Sequence, residues 1–399
     1  MREKSVLCFL LLCFSVSATI TGCSAVPLYW HAPQAKTPAA DALSDGLQDF
    51  AGVIHIHTTP YSSDASGTLE HAVRVARRQH LDYLLITEHN TLRGYETGRE
   101  GFYGKTLVLI SEELSTRDGH FLALGVPHHV SRYQPTRQII DEVEAVGGLG
   151  FVPHPFWRRK RWTMWDPPQI IGMEIYNVAH VAMEENRIRL LISLLLMPPD
   201  WFYQSVEERP IEALQLWDRL TQERRFVGIG GADAHEIRVF GLTLGPYEML
   251  FRMVRTHVKA PALTAEAVYT ALREGHAYIS LEMEASASGF TFLVTRHGER
   301  AGMMGDELTW EPGLQLAVSV PETARIMLLR DGHVVATILD RLLTYPADQP
   351  GVYRVEVDRL NRPWIFSNPI YLRVPKPPGA PPLEEAPHVH KSRRPPAAS

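Results

Sequence analysis

The stretch Gly52-Val53-Ile54-His55-Ile56-His57, followed by Tyr61-Ser62-Ser63-Asp64, joins an apolar run to side chains that can bind a metal ion. The apolar residues around the two histidines are typical of a buried β-strand. Because side chains alternate along a strand, His55 and His57 are expected on one face, near its C-terminal end. The stretch therefore predicts a strand that offers two nitrogen ligands to one metal. The alternative is a pair of surface histidines in a loop.

The composition is that of a globular protein. The chain has 399 residues, of which 45% are hydrophobic and 21% charged. This length can bury a full core and suggests about two domains. The formal net charge of -5 argues against a general nucleic-acid binder, which is usually basic. Stable nucleic-acid binding is therefore not expected.

Residues 1–22 have the pattern of a targeting segment, with a basic start and an apolar core. The segment closes with Ile20-Thr21-Gly22-Cys23, which resembles the lipobox of bacterial lipoproteins. The resemblance implies cleavage before Cys23 and lipidation of that residue. Because Ser24 follows the cysteine, the resemblance also implies an anchor on the periplasmic side of the outer membrane. This lipid anchor is the only membrane contact that we expect of the chain. A plain signal peptide or an N-terminal membrane anchor is the alternative.

All three cysteines, Cys8, Cys13 and Cys23, lie in or directly after this segment. The rest of the chain has no cysteine for a disulfide or a thiolate metal site. Any metal must therefore be held by histidine and carboxylate. This ligand set suits zinc, iron(II) or manganese(II).

Composition also divides the remaining chain. Residues 23–48 are rich in proline and alanine and are interpreted as a flexible tether. Residues 49–282 alternate strand-like and helical patterns, whereas residues 283–375 contain short alternating strands, with Asp331-Gly332 as a hairpin signal. The latter pattern predicts a small all-β, sandwich-like domain. The proline-rich tail, residues 376–399, is expected to be disordered.

Seven apolar runs predict the strands of residues 49–282. They are Val53–His57, Tyr83–Thr87, Leu107–Ile110, Phe121–Val126, Leu149–Val152, Ile171–Tyr176 and Phe226–Gly230. Helical patterns at Leu69–Gln79 and Arg137–Val146 lie between some of them. The alternation predicts an α/β fold whose parallel sheet closes into a barrel. Sites of such barrels lie at the C-terminal strand ends.

Most of the candidate ligands follow these strand ends. Nine residues have suitable chemistry: His55, His57, Asp64, His89, Glu113, His120, His154, Asp233 and His235. His120 is the exception, because it precedes its strand. Nine ligands are too many for one ion and suit two or three ions that share a bridging carboxylate. Clustered metals can generate hydroxide from water near neutral pH and hold both oxygens of a displacement.

The motifs resemble those of the polymerase-and-histidinol-phosphatase (PHP) superfamily of metal-dependent phosphoesterases. The matching motifs are His55-Ile56-His57, Ser63-Asp64, Thr87-Glu88-His89-Asn90, Glu113, Gly119-His120, His154-Pro155 and Gly231-Ala232-Asp233-Ala234-His235. The resemblance covers residues 50 to 280 approximately and implies a distorted (β/α)7 barrel with a trinuclear site. It implies three ligand groups: His55, His57, Glu113 and Asp233; Glu113, His120 and His154; and Asp64, His89 and His235.

Two positions depart from the family pattern. The family usually has aspartate before the second-strand histidine, where this chain has Glu88, a residue expected to help orient His89. The gap between His57 and Asp64 is also longer than usual. The β-rich C-terminal part, with Trp364 and Ser367-Asn368-Pro369-Ile370-Tyr371, resembles the carbaryl-hydrolase-like branch.

Three functions are consistent with these features. The first is hydrolysis of a small-molecule phosphoester by a metal-bound hydroxide. The second is hydrolysis of a carbamate or carboxylic ester at the same site, and the third is a non-catalytic, metal-containing envelope binding protein. No protein nucleophile is identified. Glu88 and Asn177 are the candidates for a general acid, and a metal-bound water is the alternative.

A basic, tryptophan-containing segment, residues 157–165, follows His154-Pro155. It contains Arg158 and Arg159, which together with Asn177 are the candidate substrate-binding residues. Arginine residues that line the substrate pocket would favour a phosphate substrate. Tryptophan residues there would favour a neutral ester. A solvated basic loop is the alternative.

Overall fold

The computed structural model describes residues 45–178, 201, 204, 207–239 and 242–374. The predicted leader, residues 1–22, lies outside the described residues, as do Cys23 and the predicted tail, residues 376–399. Of the predicted tether, residues 45–48 are described, and a strand begins at Gln48.

Seven strands form a closed barrel, and each corresponds to a strand predicted above. They are β1 (Gln48–Ile56), β2 (Tyr83–His89), β4 (Thr106–Ser115), β5 (His120–Leu124), β6 (Leu149–Val152), β7 (Ile170–Asn177) and β8 (Val227–Ala234). They pair in this order, and β8 pairs with β1 to close the ring. A short strand, β3 (Gly101–Tyr103), pairs with the N-terminal end of β4.

The prediction of a fully parallel sheet is wrong at β5. This strand is antiparallel to both β4 and β6, whereas the other barrel pairs are parallel. The link between β4 and β5, residues 116–119, forms a hairpin and is too short for the crossover that parallel strands require. The N-terminal end of β5 therefore lies where the neighbouring strands end, which explains why His120 belongs to the same mouth.

Six helices lie wholly within the described residues. They are α1 (Leu69–Arg78), α2 (Arg93–Glu96), α3 (Thr136–Ala145), α4 (Ile211–Glu223), α5 (Tyr247–Met253) and α6 (Ala265–Glu274). The helical patterns predicted over residues 69–79 and 137–146 correspond to α1 and α3. The repeat is not a strict (β/α)7, because β4 and β5 form a hairpin and residues 153–169, between β6 and β7, contain no helix.

Alternate residues of the barrel strands enter two different buried apolar clusters. One cluster, with Leu85, Leu109 and Ile229, fills the barrel interior. The other, with Leu84 and Val108, packs the outside of the barrel against α1, α3 and α4. This alternation also decides whether a polar residue at the barrel mouth faces into the barrel or out of it.

The barrel sheet continues into the C-terminal strands. After the hairpin of β9 (Ile237–Val239) and β10 (Leu242–Leu244), β11 (Arg255–Ala260) pairs with β1, and β12 (Ala277–Ser280) pairs with β11. The other edge of β12 pairs with β19 (Arg362–Ser367). Hydrogen bonding therefore crosses the predicted boundary at residues 282 and 283. The boundary itself stays a prediction.

The C-terminal region consists of strands around its own apolar cluster. The further strands are β13 (Thr291–Arg296), β14 (Glu299–Met303), β15 (Glu307–Thr309), β16 (Leu314–Arg330), β17 (His333–Pro346), β18 (Gly351–Arg359) and β20 (Ile370–Arg373). β16 is one long strand, and its two halves pair with β13 and β18. Asp331-Gly332 forms the predicted hairpin turn between β16 and β17, with positive φ at both residues.

A search of the described residues for a helix long and apolar enough to span a bilayer found none.

Candidate metal centre

A β-bulge in β1 turns the His55-Ile56-His57 motif into the barrel. Ile54 belongs to the interior cluster and Ile56 to the outer cluster. If the side chains of β1 alternated strictly from Ile54 onwards, both His55 and His57 would therefore point out of the barrel. The register of β1 against β2 shifts between Ile54 and Ile56, and His55 has a positive φ of 67°. Because the bulge inserts one residue, both imidazoles reach the barrel interior.

Glu113 is the centre of the polar cluster. It lies on the interior face of β4, in register with His89 of β2. Its Oε1 atom is 2.7 Å from His120 Nδ1 and 3.1 Å from His154 Nε2. Its Oε2 atom is 3.3 Å from His55 Nε2 and 3.4 Å from His57 Nε2. One carboxylate therefore faces two groups of histidines, as a bridging ligand would.

The atoms of the first group converge without hydrogen bonds among them. His55 Nε2 and His57 Nε2 are buried and have no hydrogen-bond partner. Both face Glu113 Oε2, which also lies 2.9 Å from His89 Nδ1. Asp233 Oδ1 lies 3.5 Å from both imidazole nitrogens. Donor atoms about 2.0–2.2 Å from one ion are separated by about 3.0–3.5 Å, as these are. Orphaned buried polar atoms are rare in folded proteins, and a metal ion would satisfy all of them. The residues present fit a bound metal.

Two further groups surround the first. Glu113, His120 and His154 lie within ligand distance of one another, as do His57, His89 and His235. Asp64 Oδ2 is 3.1 Å from His89 Nε2 and 3.4 Å from His235 Nε2. All nine residues predicted from the motifs are therefore brought to one mouth. Asp64, with 54% of its side chain exposed, is the most open of them.

Three of the nine candidate ligands have an uncommon backbone conformation. His55, His154 and Asp233 have φ values of 67°, 26° and 49°. Residues other than glycine rarely adopt positive φ, and each instance costs of order 1–3 kcal/mol. Such strain collects at functional sites, where the surrounding structure enforces it. Here it aims side chains from three different strands or strand ends at the same point.

Glu174 is a part of the centre that the sequence reasoning missed. It is buried on β7 and accepts hydrogen bonds from His55 Nδ1 at 2.7 Å, the backbone N–H of His154 at 2.8 Å and the amide of Asn177 at 2.6 Å. A hydrogen bond at Nδ1 directs His55 Nε2 towards the metal position. A signal was present, since Glu174 is the one charged residue in an apolar strand.

The backbone opposite Glu174 has to lack a side chain. A Cβ atom at Gly231 would lie 1.8 Å from Glu174 Oε1. The glycine of the Gly231-Ala232-Asp233 motif is therefore required by the carboxylate that orients His55. Asn177, a candidate substrate-binding residue in the sequence, is buried and lies behind Glu174 instead.

Glu88 lies on the outer side of β2 and contacts the loop after β1. Its carboxylate accepts hydrogen bonds from the Thr58 N–H at 3.0 Å and the Ser62 hydroxyl at 2.5 Å. Ser62 Oγ in turn accepts the backbone N–H of His89 at 3.1 Å and lies 3.4 Å from His57 Nδ1. Glu88 thus supports the loop that holds His57, and it reaches His89 only through Ser62.

Burial and charge act in opposite directions on the pKa values of the cluster. Burial alone would raise the pKa values of Glu113 and Asp233, but the neighbouring histidines, His55 first among them, hold both well below their usual range. Burial lowers the pKa of His57 to about 3. Burial would also lower the pKa of His89, but hydrogen bonds to Asp64 and Glu113 raise it to about 10. The carboxylates of the cluster are thus ionised and His57 is neutral, as metal ligands must be, whereas His89 has to release its proton before it can bind a metal.

The basic segment after His154 divides between the mouth and the surface. Trp157 is half-buried, and its ring centroid lies 5.6 Å from that of His120. Trp162 is buried against Phe121 and belongs to the core. Arg158 and Arg159 are exposed and form no hydrogen bond or ion pair within the described part of the chain.

A cleft of about 320 Å³ opens beside His89. Its lining residues are Tyr61, Ser63, His89, Asn90, His129, Arg132 and Tyr133. Arg132 forms no ion pair with any carboxylate that the structure describes; its guanidinium lies 5.0 Å from the Tyr133 ring. The sequence reasoning did not identify His129 or Arg132, which lie in a loop remote from the motifs.

A second cluster, of His71, Glu236 and Glu248, also lies within ligand distance. The two nitrogens of His71 face different carboxylates, Glu236 at 2.8 Å and Glu248 at 3.3 Å. Arg78 and Arg238 also contact these carboxylates, each at 2.7 Å. Because the two arginines already neutralise these carboxylates, we interpret the cluster as an ion-pair network and not as a metal site. The network joins α1, α5 and the segment after β8.

Comparison with known proteins found remote similarities. No protein-family model matches the chain. An uncharacterised protein of Methanocaldococcus jannaschii is 29% identical over 152 residues, which cover 34% of this chain and 87% of that protein. One similar solved structure is a two-domain protein of Bacteroides vulgatus, described as containing a predicted PHP-like metal-dependent phosphoesterase. It has a TM-score of 0.40 and is 16% identical to this chain. The match covers 82% of this chain and 96% of that protein.

A second solved structure, from Bifidobacterium adolescentis and described as a candidate metal-dependent phosphoesterase, has a TM-score of 0.29 and 15% identity. It covers 48% of this chain and 88% of its own. Similarity at this level carries no information about the activity of this chain.

Proposed function

We propose that this protein is a metal-dependent hydrolase of the PHP type that cleaves a phosphoester of a small molecule. The observation that carries the proposal is the convergence of His55 Nε2 and His57 Nε2, buried and without hydrogen bonds, on the carboxylates of Glu113 and Asp233. Such a donor set suits two or three divalent ions, manganese, zinc or iron, with Glu113 between them. Metals bound there would supply a nucleophile from water near neutral pH.

The open side of the centre supports a catalytic rather than a structural metal site. Structural sites are coordinatively closed, whereas catalytic sites keep open positions. His89 is 23% exposed and forms one wall of the cleft, so a substrate can approach the ligands. This is the argument against the third function, a non-catalytic envelope binding protein.

The charges around the cleft favour an anionic substrate. Arg132 lines the cleft and has no carboxylate partner in the described structure, so its guanidinium is available to a phosphate. Arg158 and Arg159 remain substrate-binding candidates as exposed cations on the loop after His154. Asn177 is a weaker candidate, because it donates to Glu174.

Hydrolysis of a carbamate or carboxylic ester is the second candidate, and Trp157 favours it. This ring lies against both His120 and His154, with centroid distances of 5.6 and 5.4 Å, and could contact an apolar acyl or aryl group. The carbaryl-hydrolase-like layout of the C-terminal region leads to the same substrates. The same centre would serve either reaction.

The test is to measure metal content and hydrolysis in residues 24–399, purified as a soluble protein. Two or three metals with cleavage of p-nitrophenyl phosphate would support the phosphoesterase. The same metals with cleavage of p-nitrophenyl acetate alone would favour the carboxylic or carbamic ester. Fewer than two metals, after reconstitution with manganese, zinc and iron, would refute the multinuclear centre. An Asp233→Ala variant that folds but is inactive would exclude the binding-protein alternative.

We also propose that the chain is a lipoprotein anchored through Cys23 and facing the periplasm from the outer membrane. The lipobox-like Ile20-Thr21-Gly22-Cys23 supports this proposal. Incorporation of labelled fatty acid into the wild type but not into Cys23→Ala would be expected. Equal labelling of both, or of neither, would refute it.

A further inference from the structure

His129 is held rigidly at the edge of the cleft by a buried carboxylate. His129 Nδ1 lies 2.6 Å from Oε2 of Glu112, and the other oxygen of Glu112 accepts the backbone N–H of Val130 at 2.8 Å. Glu112 is fully buried on β4 and faces away from the barrel interior, next to Glu113, which faces into it. Because both oxygens of Glu112 are engaged, the carboxylate fixes the orientation of the imidazole.

This hydrogen bond leaves the second ring nitrogen for the cleft. A carboxylate accepts a hydrogen bond, so Nδ1 of His129 carries a proton, and Nε2 is the remaining exchangeable position. The side chain is 40% exposed and lines the same cleft as His89 and Arg132. A histidine supported by a carboxylate and open to a substrate cleft is the arrangement of a general acid or base.

We propose that His129 is the proton donor to the leaving group; the inference rests on the phosphoester hydrolysis proposed above. In the doubly protonated imidazolium, Nε2 of His129 also carries a proton, and this proton passes to the leaving oxygen as its bond to phosphorus breaks. The attacking water gives one proton to the solvent, and its oxygen forms the new bond to phosphorus. The imidazole then regains a proton from the solvent, so the histidine is unchanged after each cycle. Glu112 is a positioning residue that acts through His129.

The general-acid candidates from the sequence are less suited to this role. Glu88 is buried on the outer side of β2 and accepts hydrogen bonds from Thr58 and Ser62. Asn177 donates to Glu174 behind the metal centre. Neither residue lines the cleft.

The test compares two phosphate monoesters that differ in their need for an acid. Phenyl phosphate releases a strongly basic phenolate, whereas p-nitrophenyl phosphate releases a weakly basic one that leaves without protonation. For His129→Gln we expect kcat on phenyl phosphate to fall about 100-fold or more, and kcat on p-nitrophenyl phosphate to fall less than about 10-fold. The matched control is His128→Gln, at the exposed neighbouring histidine, which is expected to leave both rates unchanged.

Metal content and thermal unfolding are measured on the same variants, because neither is expected to change in His129→Gln. Glu112→Gln is expected to show the same selectivity for the poor leaving group, with a loss of about 10-fold. Equal losses on both substrates, or no loss, would overturn the role of His129 while leaving the hydrolase intact. A metal-loaded wild type that cleaves neither ester would overturn the proposed function and this inference with it.

Discussion

Glu174 accepts a hydrogen bond from His55 Nδ1 at 2.7 Å, although the two residues are 119 positions apart in the chain. The same carboxylate accepts the backbone N–H of His154, so it supports two candidate ligands at once. It therefore links β1, the segment after β6, and β7 behind the metal position.

Replacement of Glu174 by glutamine is expected to weaken metal binding without unfolding the protein. Glutamine has one acceptor oxygen for three donors, so at least one of His55, His154 and Asn177 loses its partner. Loss of such an outer hydrogen bond typically costs 10- to 100-fold in metal affinity, roughly. Metal titration under equilibrium dialysis measures the effect, with Glu223→Gln, at an exposed position on α4, as the control. Unchanged affinity would show that Glu174 does not position His55.

Replacement of Glu113 by glutamine is expected to remove more than one metal ion. Its Oε1 atom faces His120 and His154, and its Oε2 atom faces His55 and His57, so the loss of one charge affects both groups. Elemental analysis of the purified variant measures the metal content. Glu112→Gln is the matched control, because this neighbour on β4 faces the other side and should retain the metals. A Glu113→Gln protein with full metal content would contradict a bridging role.

Removal of the metals is expected to lower the unfolding temperature of the wild type. Without metal, buried carboxylates and orphaned imidazole nitrogens remain in the centre, and their burial is costly. A ligand at 100 times its dissociation constant stabilises the folded state by about 2.7 kcal/mol. Scanning calorimetry with chelator and with added manganese should therefore differ by a few degrees, roughly. In Glu113→Gln the unfolding temperature should differ much less between chelator and manganese. A difference as large as in the wild type would show that the stabilisation does not come from metal bound at this centre.

A buried histidine away from the metal centre predicts a pH dependence of stability. His257 is fully buried, with Nδ1 2.9 Å from Asp49 and Nε2 2.8 Å from Glu282. Burial alone would lower the pKa of His257, but these two carboxylates raise it from 6.5 to about 9. A raised pKa contributes stability that is fully present below the unfolded value of 6.5 and is lost as the pH rises through 9.

His257→Gln is therefore expected to lose about 3–5 kcal/mol of the free energy of unfolding near neutral pH, as for a broken buried ion pair. Between pH 6.5 and 9 the difference from the wild type should shrink, because the wild type loses this contribution. Urea unfolding over that range measures the difference, with the exposed His128→Gln as the control. A difference that does not change with pH would mean that His257 is neutral in the folded protein.

The strands of the barrel and the ligand chemistry of the site could be predicted from the sequence. Apolar runs predicted all seven barrel strands, because burial imposes a local pattern that the chain carries wherever it folds. The motifs predicted nine residues that the structure brings to one mouth, since polar side chains at strand ends share an edge of the sheet.

The direction of β5, the bulge at His55 and the roles of Glu174 and His129 could not be predicted from the sequence. Each depends on pairing between segments distant in sequence: β4 with β5 across a hairpin, β1 against β2, Glu174 with His55, and Glu112 with His129. The local periodicity of apolar residues predicts which residues are buried. It does not predict which strand lies beside them or which buried carboxylate accepts a hydrogen bond from a given N–H. Those choices are made by the packing of the whole barrel, and they determine how the ligands and the proposed proton donor are oriented.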